Sequence, residues 1–314
     1  MKRSLAVDLG GWALRTPVMV AAGCAGTGRE LGGLVEARRI GAIVSRSVTV
    51  RPRKGVPTPR IAESASGIVW STGLQNPGID VFLDEELPRL GRVGTALMVS
   101  IAGGSLEEYV RLTSLLQGRP EISAIEVRLS EPDEELDRPI LGAYPDRAAE
   151  VAGAVARMSL VPVFAKLPVL SADLVEVARA VVRAGVRGLT LIDPPPAVSV
   201  DATRLRPALA SVTGWLSGPA IAPLVRQAVL TVARAMPDVP ILASGGVRTG
   251  TDAVELMLAG AWAVQVGTAA LIDPAAPVDV ARGVAEYLKA KGLGSPDDIR
   301  GRIRLPSGSA GAAP

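Results

Sequence analysis

ILASGGVRTGTDAVELMLAGAWAVQVGT, residues 241–268, holds two strand-like apolar runs that each end in glycine, with one amphipathic helical stretch between them. Gly245 and Gly246 follow the first run, and Gly267 with Thr268 follows the second. Two parallel strand ends would then present bare backbone N–H groups side by side. Glycine lets a ligand approach the main chain, and a helix N-terminus offers unpaired donors, so the pattern predicts a phosphate cradle. In a (β/α)8 barrel the loops after strands seven and eight are a common phosphate site. The competing reading is a pair of ordinary glycine turns.

Working outward, similar apolar runs alternate with helical patterns along most of the chain. They are PVMVAAG from Pro17, GAIVSRSVTV from Gly41, TALMVSIAG from Thr95, AIEVRLS from Ala124, VPVFAKLP from Val161, GLTLIDP from Gly188, VPILASGG from Val239 and AVQVGTAAL from Ala263. Eight such units predict an α/β chain closed into a (β/α)8 TIM barrel, with an open doubly wound sheet as the alternative. Leu5 to Thr16 carries Gly10-Gly11 between two short apolar runs and reads as an N-terminal hairpin closing the barrel bottom. Arg51 to Arg92 is a long Pro- and Gly-containing insertion between strands two and three, and long barrel loops are often functional. Residues 1–305 read as one domain and 306–314, ending GSAGAAP, as a disordered tail.

Composition removes several functions. The 314 residues are 48% hydrophobic and 21% charged, enough for a full core. No run of apolar residues is long enough to span a membrane, and no secretory leader is evident at Met1-Lys2-Arg3, so neither membrane nor secretion is expected. One cysteine, Cys24, excludes an internal disulfide and a self-contained iron–sulfur cluster or multi-cysteine zinc site, and suits a cytoplasmic protein without bound metal. A net charge of +3 with interspersed signs and only 3% aromatics gives no nucleic-acid footprint. Histidine is absent, so any proton transfer falls to Glu, Asp, Lys, Tyr, Cys24 or water.

AAGCAG at Ala21, GAIVSRSVTVRPRKGVPTPRIAE at Gly41, TGLQNPG at Thr72, IAGGS at Ile101, AKL at Ala165, LSGPAIAP at Leu216, ASGGV at Ala243 and VGTA at Val266 carry a further signal. From Leu5 to about Gly292 the chain resembles the dihydroorotate dehydrogenase family, specifically its class 1 catalytic subunits of the B type. The resemblance implies an FMN-binding barrel that passes hydride from a dihydropyrimidine to the flavin while a side chain removes a proton. It also implies a homodimer and a separate electron-transfer subunit carrying FAD and an iron–sulfur cluster.

By that resemblance the FMN side comprises Ala21 and Gly23 beneath the ring, Arg46 where strand two typically has lysine, and Lys166 near the flavin N1/O2 edge. Gly218, Gly245, Gly246, Gly267 and Thr268 complete it around the phosphate. A lysine at the end of strand five faces the barrel mouth, where an ammonium can stabilise charge on reduced flavin. A purely structural salt bridge is the alternative for Lys166. The substrate side is rewritten. Where the family has asparagines for orotate, this chain has Trp70, Ser100, Arg128, Asp133 and Asp193, and the position of the cysteine base is Glu131. Cys24 matches a different cysteine, in the loop after strand one. Arg46 and Arg128 suit an anionic ligand, and Glu131 is the candidate base, whereas pairing of Arg128 with Glu131 or Asp133 across a disused pocket is the alternative. The resulting expectation is an FMN-dependent oxidoreductase with an altered anionic cyclic small-molecule substrate. The alternatives are a dihydroorotate dehydrogenase of pyrimidine synthesis despite these changes, or a flavin-binding protein without turnover.

Overall fold

The computed structural model describes residues 4–28, 30, 36–132, 134–137, 139–169 and 173–306. Asp133 and the segment 307–314 of the expected tail lie outside the described residues.

Eight parallel strands close into a barrel. They are β1 (Val18–Val20), β2 (Ala42–Val44), β3 (Ala96–Ile101), β4 (Ala124–Arg128), β5 (Val163–Pro168), β6 (Gly188–Asp193), β7 (Ile241–Ser244) and β8 (Ala263–Val266). Each lies within one of the eight apolar runs. All their residues except Ala96 are buried, as strands covered by helices outside and packed side chains inside must be. β8 returns to β1 through Val264↔Val18, Gln265↔Met19 and Val266↔Val20, which closes the ring and excludes the open sheet.

The helices include α1 (residues 79–91), α2 (Leu106–Leu116), α3 (Pro145–Met158), α4 (Leu174–Arg183), α5 (Ala222–Ala235), α6 (Gly250–Ala259), α7 (Thr268–Ile272) and α8 (Ala276–Ala290). Local chemistry fixes several starts. Asp173 caps α4 by accepting from the Val175 and Glu176 N–H groups. Thr249 and Asp252 form a reciprocal capping box on α6, directly after the Gly245-Gly246 turn, where loss of such a cap costs about 1 kcal/mol. No helix among the described residues is long and apolar enough to cross a membrane.

The N-terminal hairpin pairs Val7 with Leu14 and Asp8 with Ala13. Its Leu9, Trp12 and Leu14 pack with Met19, Ala42, Met98, Phe164 and Leu242, the apolar floor of the barrel. Trp12 and Phe164 meet with ring centroids 5.6 Å apart.

The insertion differs from a loop. Ile61–Ser64 and Gly67–Trp70 form an antiparallel hairpin, and α1 follows it. Proline at 88 and a π-helical stretch at Phe82–Glu86 obscure the periodicity of α1 in the sequence. A second excursion, after β6, supplies Pro196–Ala197 and Gly214–Ser217, and all four strands join one sheet. Trp215 pairs with Trp70 in its register.

Candidate active site

Above the apolar floor the barrel interior turns polar. Ser100 on β3, Glu126 on β4, Thr190 on β6 and Gln265 on β8 are each fully buried. The Glu126 carboxylate accepts from the Ser100 hydroxyl at 3.1 Å, the Thr190 hydroxyl at 3.0 Å and the Gln265 amide at 3.3 Å. Ser100 also shares a hydrogen bond with Ser47 at 3.0 Å, and its N–H donates to the Ser45 hydroxyl at 3.1 Å. A buried carboxylate is tolerable only when satisfied in this way. Glu126 escaped the sequence reading. Its signal was a lone acid in an apolar strand, two residues before Arg128 and therefore on the same face.

At the mouth, two residues beyond Glu126 on β4 and three beyond Thr190 on β6, the layer is ionic. Arg128 ends β4, Lys166 lies on β5 and Asp193 ends β6, and all three are buried. Arg128 Nε donates to Asp193 Oδ2 at 2.8 Å, and Lys166 Nζ lies 3.1 Å from Asp193 Oδ1. The other side of Arg128 reaches Glu131, NH1 to Oε1 at 2.6 Å, and Glu131 Oε2 accepts from Arg53 NH1 of the insertion at 3.0 Å. The result is a continuous relay, Arg53, Glu131, Arg128, Asp193, Lys166, across the barrel mouth.

Neighbours hold the relay in place. The Tyr109 hydroxyl donates to the Arg128 carbonyl at 2.5 Å, and the Arg128 guanidinium lies 5.7 Å from the Trp215 ring centre. Burial alone would raise the Asp193 carboxyl, but the Arg128 guanidinium and Lys166 ammonium outweigh it and hold it well below the ordinary carboxylate range. Burial likewise works against the Lys166 ammonium, and Asp193 with Glu126 overcomes it, so Lys166 lies above its ordinary value and is charged. Cys24 is half-buried in the loop after β1, and burial pushes its thiol up to about 11 against the opposing pull of Lys166. A thiol held so firmly protonated is a poor base.

The remaining predicted positions divide between the barrel rim and the added sheet. In the β7–β8 register Ser244 faces Gln265, with Gly245 and Gly267 each one residue beyond its strand end. Gly245 and Gly246 have φ of +121° and +77°. A Cβ on Gly246 would stand 2.5 Å from the Ala222 Cβ, so this glycine is demanded by the close approach of α5 as well as by the turn. Gly218 precedes the short helical turn that leads into α5, with φ of +95°, and the Thr268 hydroxyl donates to Ser217 at 2.9 Å. Ala21 and Gly23 lie in the β1 loop, and a Cβ on Gly23 would meet nothing within 4 Å. Arg46 points toward α1, its Nε 3.6 Å from Glu86 and its NH1 3.5 Å from the Gln75 carbonyl. Trp70 sits on the insertion sheet rather than on a barrel strand. Among the described residues no group of three His, Cys, Asp or Glu side chains is arranged to hold a metal.

These surroundings fit a flavin mononucleotide. Half-buried Gly245 and Gly267 follow strands seven and eight, the space beside Gly23 is open to 4 Å, and a buried ammonium stands on β5. The buried Gln265 Oε1 has no hydrogen-bond partner among the described residues, leaving an acceptor for a donor from outside the protein.

A closed (β/α)8 barrel with a charged, buried cluster at the C-terminal ends of its strands has the architecture of a barrel enzyme. The family model for dihydroorotate dehydrogenase matches residues 4–288. The chain is 41% identical over 304 residues to the protein named dihydroorotate dehydrogenase B (NAD(+)), catalytic subunit, of Geotalea daltonii, covering 97% of this chain and 99% of the relative. The like-named proteins of Geobacter sulfurreducens and Alkaliphilus metalliredigens are 40% and 39% identical, over 97% and 96% of this chain and 99% of each relative. This chain therefore belongs to the dihydroorotate dehydrogenase family, and it is an FMN-dependent oxidoreductase acting on CH–CH groups.

Proposed function

We propose that the chain oxidises a small cyclic, carboxylate-bearing compound of the dihydroorotate class at the mouth of the barrel. The observation that carries this reading is the ionic relay from Arg53 to Lys166, which gathers three cations and a candidate base at the strand ends. FMN, when bound, supplies the hydride acceptor. Ala21, Gly23, Arg46, Gly218, Gly245, Gly246, Gly267 and Thr268 are the residues proposed to hold it. Lys166 places a fixed positive charge where negative charge develops on reduction. Glu131 is the proposed proton acceptor. Both of its oxygens are engaged by guanidinium groups, so accepting a substrate proton requires one of those pairs to open.

Dihydroorotate is the substrate supported by the names of relatives that match 97% of this chain. A changed substrate is favoured by one specific observation. At Arg128 and Asp193, where the resemblance expects amides, the side chains are ion-paired to each other, and a mismatch between the hydrogen-bonding groups of a site and its ligand costs about 10⁴ or more in discrimination. Anaerobic addition of dihydroorotate to the flavin-loaded protein tests between them. Bleaching of the flavin absorbance at catalytic rates assigns dihydroorotate, whereas an unbleached flavin that other cyclic carboxylates reduce assigns a changed substrate. A flavin reduced by neither refutes the oxidation.

The relatives' designation as catalytic subunits supports a separate electron-transfer subunit here, carrying FAD and an iron–sulfur cluster, with NAD as the final acceptor. A cytoplasmic homodimer completes the proposal.

A further inference from the structure

We infer that Arg53 and Arg128 form a binding site for a single carboxylate, that Glu131 occupies this site from within, and that the substrate's carboxylate enters by exchanging with it. This rests on the proposed oxidation of a carboxylate-bearing ring and names how that ring is recognised.

Glu131 bridges two guanidiniums from elements far apart in sequence, 2.6 Å from Arg128 and 3.0 Å from Arg53. The Arg128 guanidinium and the Arg53 backbone are positioned without its help. Arg128 is fixed by Asp193 at 2.8 Å, by the Trp215 face and by the Tyr109 hydroxyl on its own carbonyl. Arg53 is held through reciprocal backbone hydrogen bonds with Asn76, at 3.0 and 3.1 Å. Withdrawing Glu131 thus leaves a fixed Arg128 guanidinium with the Arg53 guanidinium anchored beside it through its backbone, two donors that suit a carboxylate.

A buried guanidinium left alone is strongly unfavourable, and one carboxylate leaving as another arrives keeps both guanidiniums paired, so the cost of exchange is that of freeing the Glu131 carboxylate. The Leu141 N–H anchors the Glu131 carbonyl at 2.9 Å, so the exchange needs side-chain rotation and no movement of the loop backbone. Arg53 supplies the entry side, since its side chain is 34% exposed while Arg128 and Glu131 are nearly sealed. A phosphate dianion would bring a second negative charge close to Asp193, so the site selects a monocarboxylate. Once displaced, Glu131 has both oxygens free beside the bound ring, and substrate binding thereby releases the group that takes the proton.

Calorimetric titration of the purified, flavin-loaded protein with orotate, benzoate and inorganic phosphate tests the exchange in wild type, Glu131→Gln and Arg53→Gln. At least one of the two carboxylates is expected to bind wild type, to bind Glu131→Gln at least tenfold more tightly because the internal competitor is gone, and to bind Arg53→Gln at least tenfold more weakly. Phosphate is expected to be bound by none. Equal carboxylate affinity in wild type and Glu131→Gln, equal affinity in wild type and Arg53→Gln, or no binding of either carboxylate overturns the inference. Arg53→Gln alters a partly exposed side chain and carries the test alone should Glu131→Gln fail to fold. Exchange-dependent binding with a flavin that no carboxylate reduces refutes the oxidation and leaves the site standing. Reduction by a ligand indifferent to both variants does the reverse.

Discussion

Lys166 and Asp193 meet across neighbouring strands of the barrel, Nζ 3.1 Å from Oδ1, while the other oxygen of the same carboxylate takes the Arg128 guanidinium at 2.8 Å. One buried anion is therefore shared by two buried cations from two other strands.

Replacing Asp193 with Asn should be severe. It leaves Lys166 and Arg128 without their shared counter-charge, and breaking such a buried pair costs about 3–5 kcal/mol. Urea unfolding of the purified variant measures this. A loss below about 1 kcal/mol would mean that the pair contributes little to the fold.

The pH dependence has a definite sign. The Asp193 carboxyl lies below its ordinary 3.8, so its contribution is present above that value and is lost as pH falls through the lower folded value. The Lys166 ammonium lies above its ordinary 10.5, so its contribution is complete below that value and is lost as pH rises through the folded one. The stability difference between wild type and Asp193→Asn should be flat from about pH 5 to 9 and shrink only outside that window. A difference that varies steeply near pH 7 would assign the titration to other groups.

Two glycines of the proposed phosphate cradle should separate fold from cofactor. At Gly246, φ is +77° and an added Cβ would stand 2.5 Å from the Ala222 Cβ and 2.6 Å from its Cα, so Gly246→Val should destabilise the apoprotein by about 2–4 kcal/mol. At Gly267, φ is −108° and an added Cβ would make only ordinary contacts, 3.5 Å from Ala21 and 3.8 Å from Cys24. Gly267→Ala should keep the apoprotein within about 1 kcal/mol of wild type while weakening FMN at least about tenfold, read by flavin fluorescence on dilution. Unchanged FMN affinity would move the phosphate elsewhere.

Lys166→Met should lower the two-electron flavin reduction potential by about 30 mV or more, equivalent to about 1.4 kcal/mol. Spectroelectrochemical titration of the loaded variant checks it. A potential equal to wild type would confine Lys166 to its structural pairing with Asp193.

The barrel itself was legible because its strands are buried on both faces and read as unbroken apolar runs, and Gly10-Gly11 marked the hairpin at its floor. The residues of the mouth were legible as types at strand ends. Their partners were not, because nothing in the sequence says that Arg53 reaches Glu131 or that Asp193 serves both Arg128 and Lys166. Glu126 was hidden by its apolar neighbours. The sheet beside the mouth escaped notice because Gly67–Trp70 and Gly214–Ser217 are short, distant in the chain and meaningful only when paired.

That sheet has an evolutionary consequence. Trp70 belongs to the excursion after β2 and Trp215 to the excursion after β6, yet they sit opposite each other in one register. Arg53 travels with the first excursion, while the ring over which Arg128 lies travels with the second. Neither can be exchanged with a relative's on its own without stranding half of a joint structure. Recombination between family members would preserve function only where both crossovers are inherited together, so the two excursions form one transferable unit split across the gene.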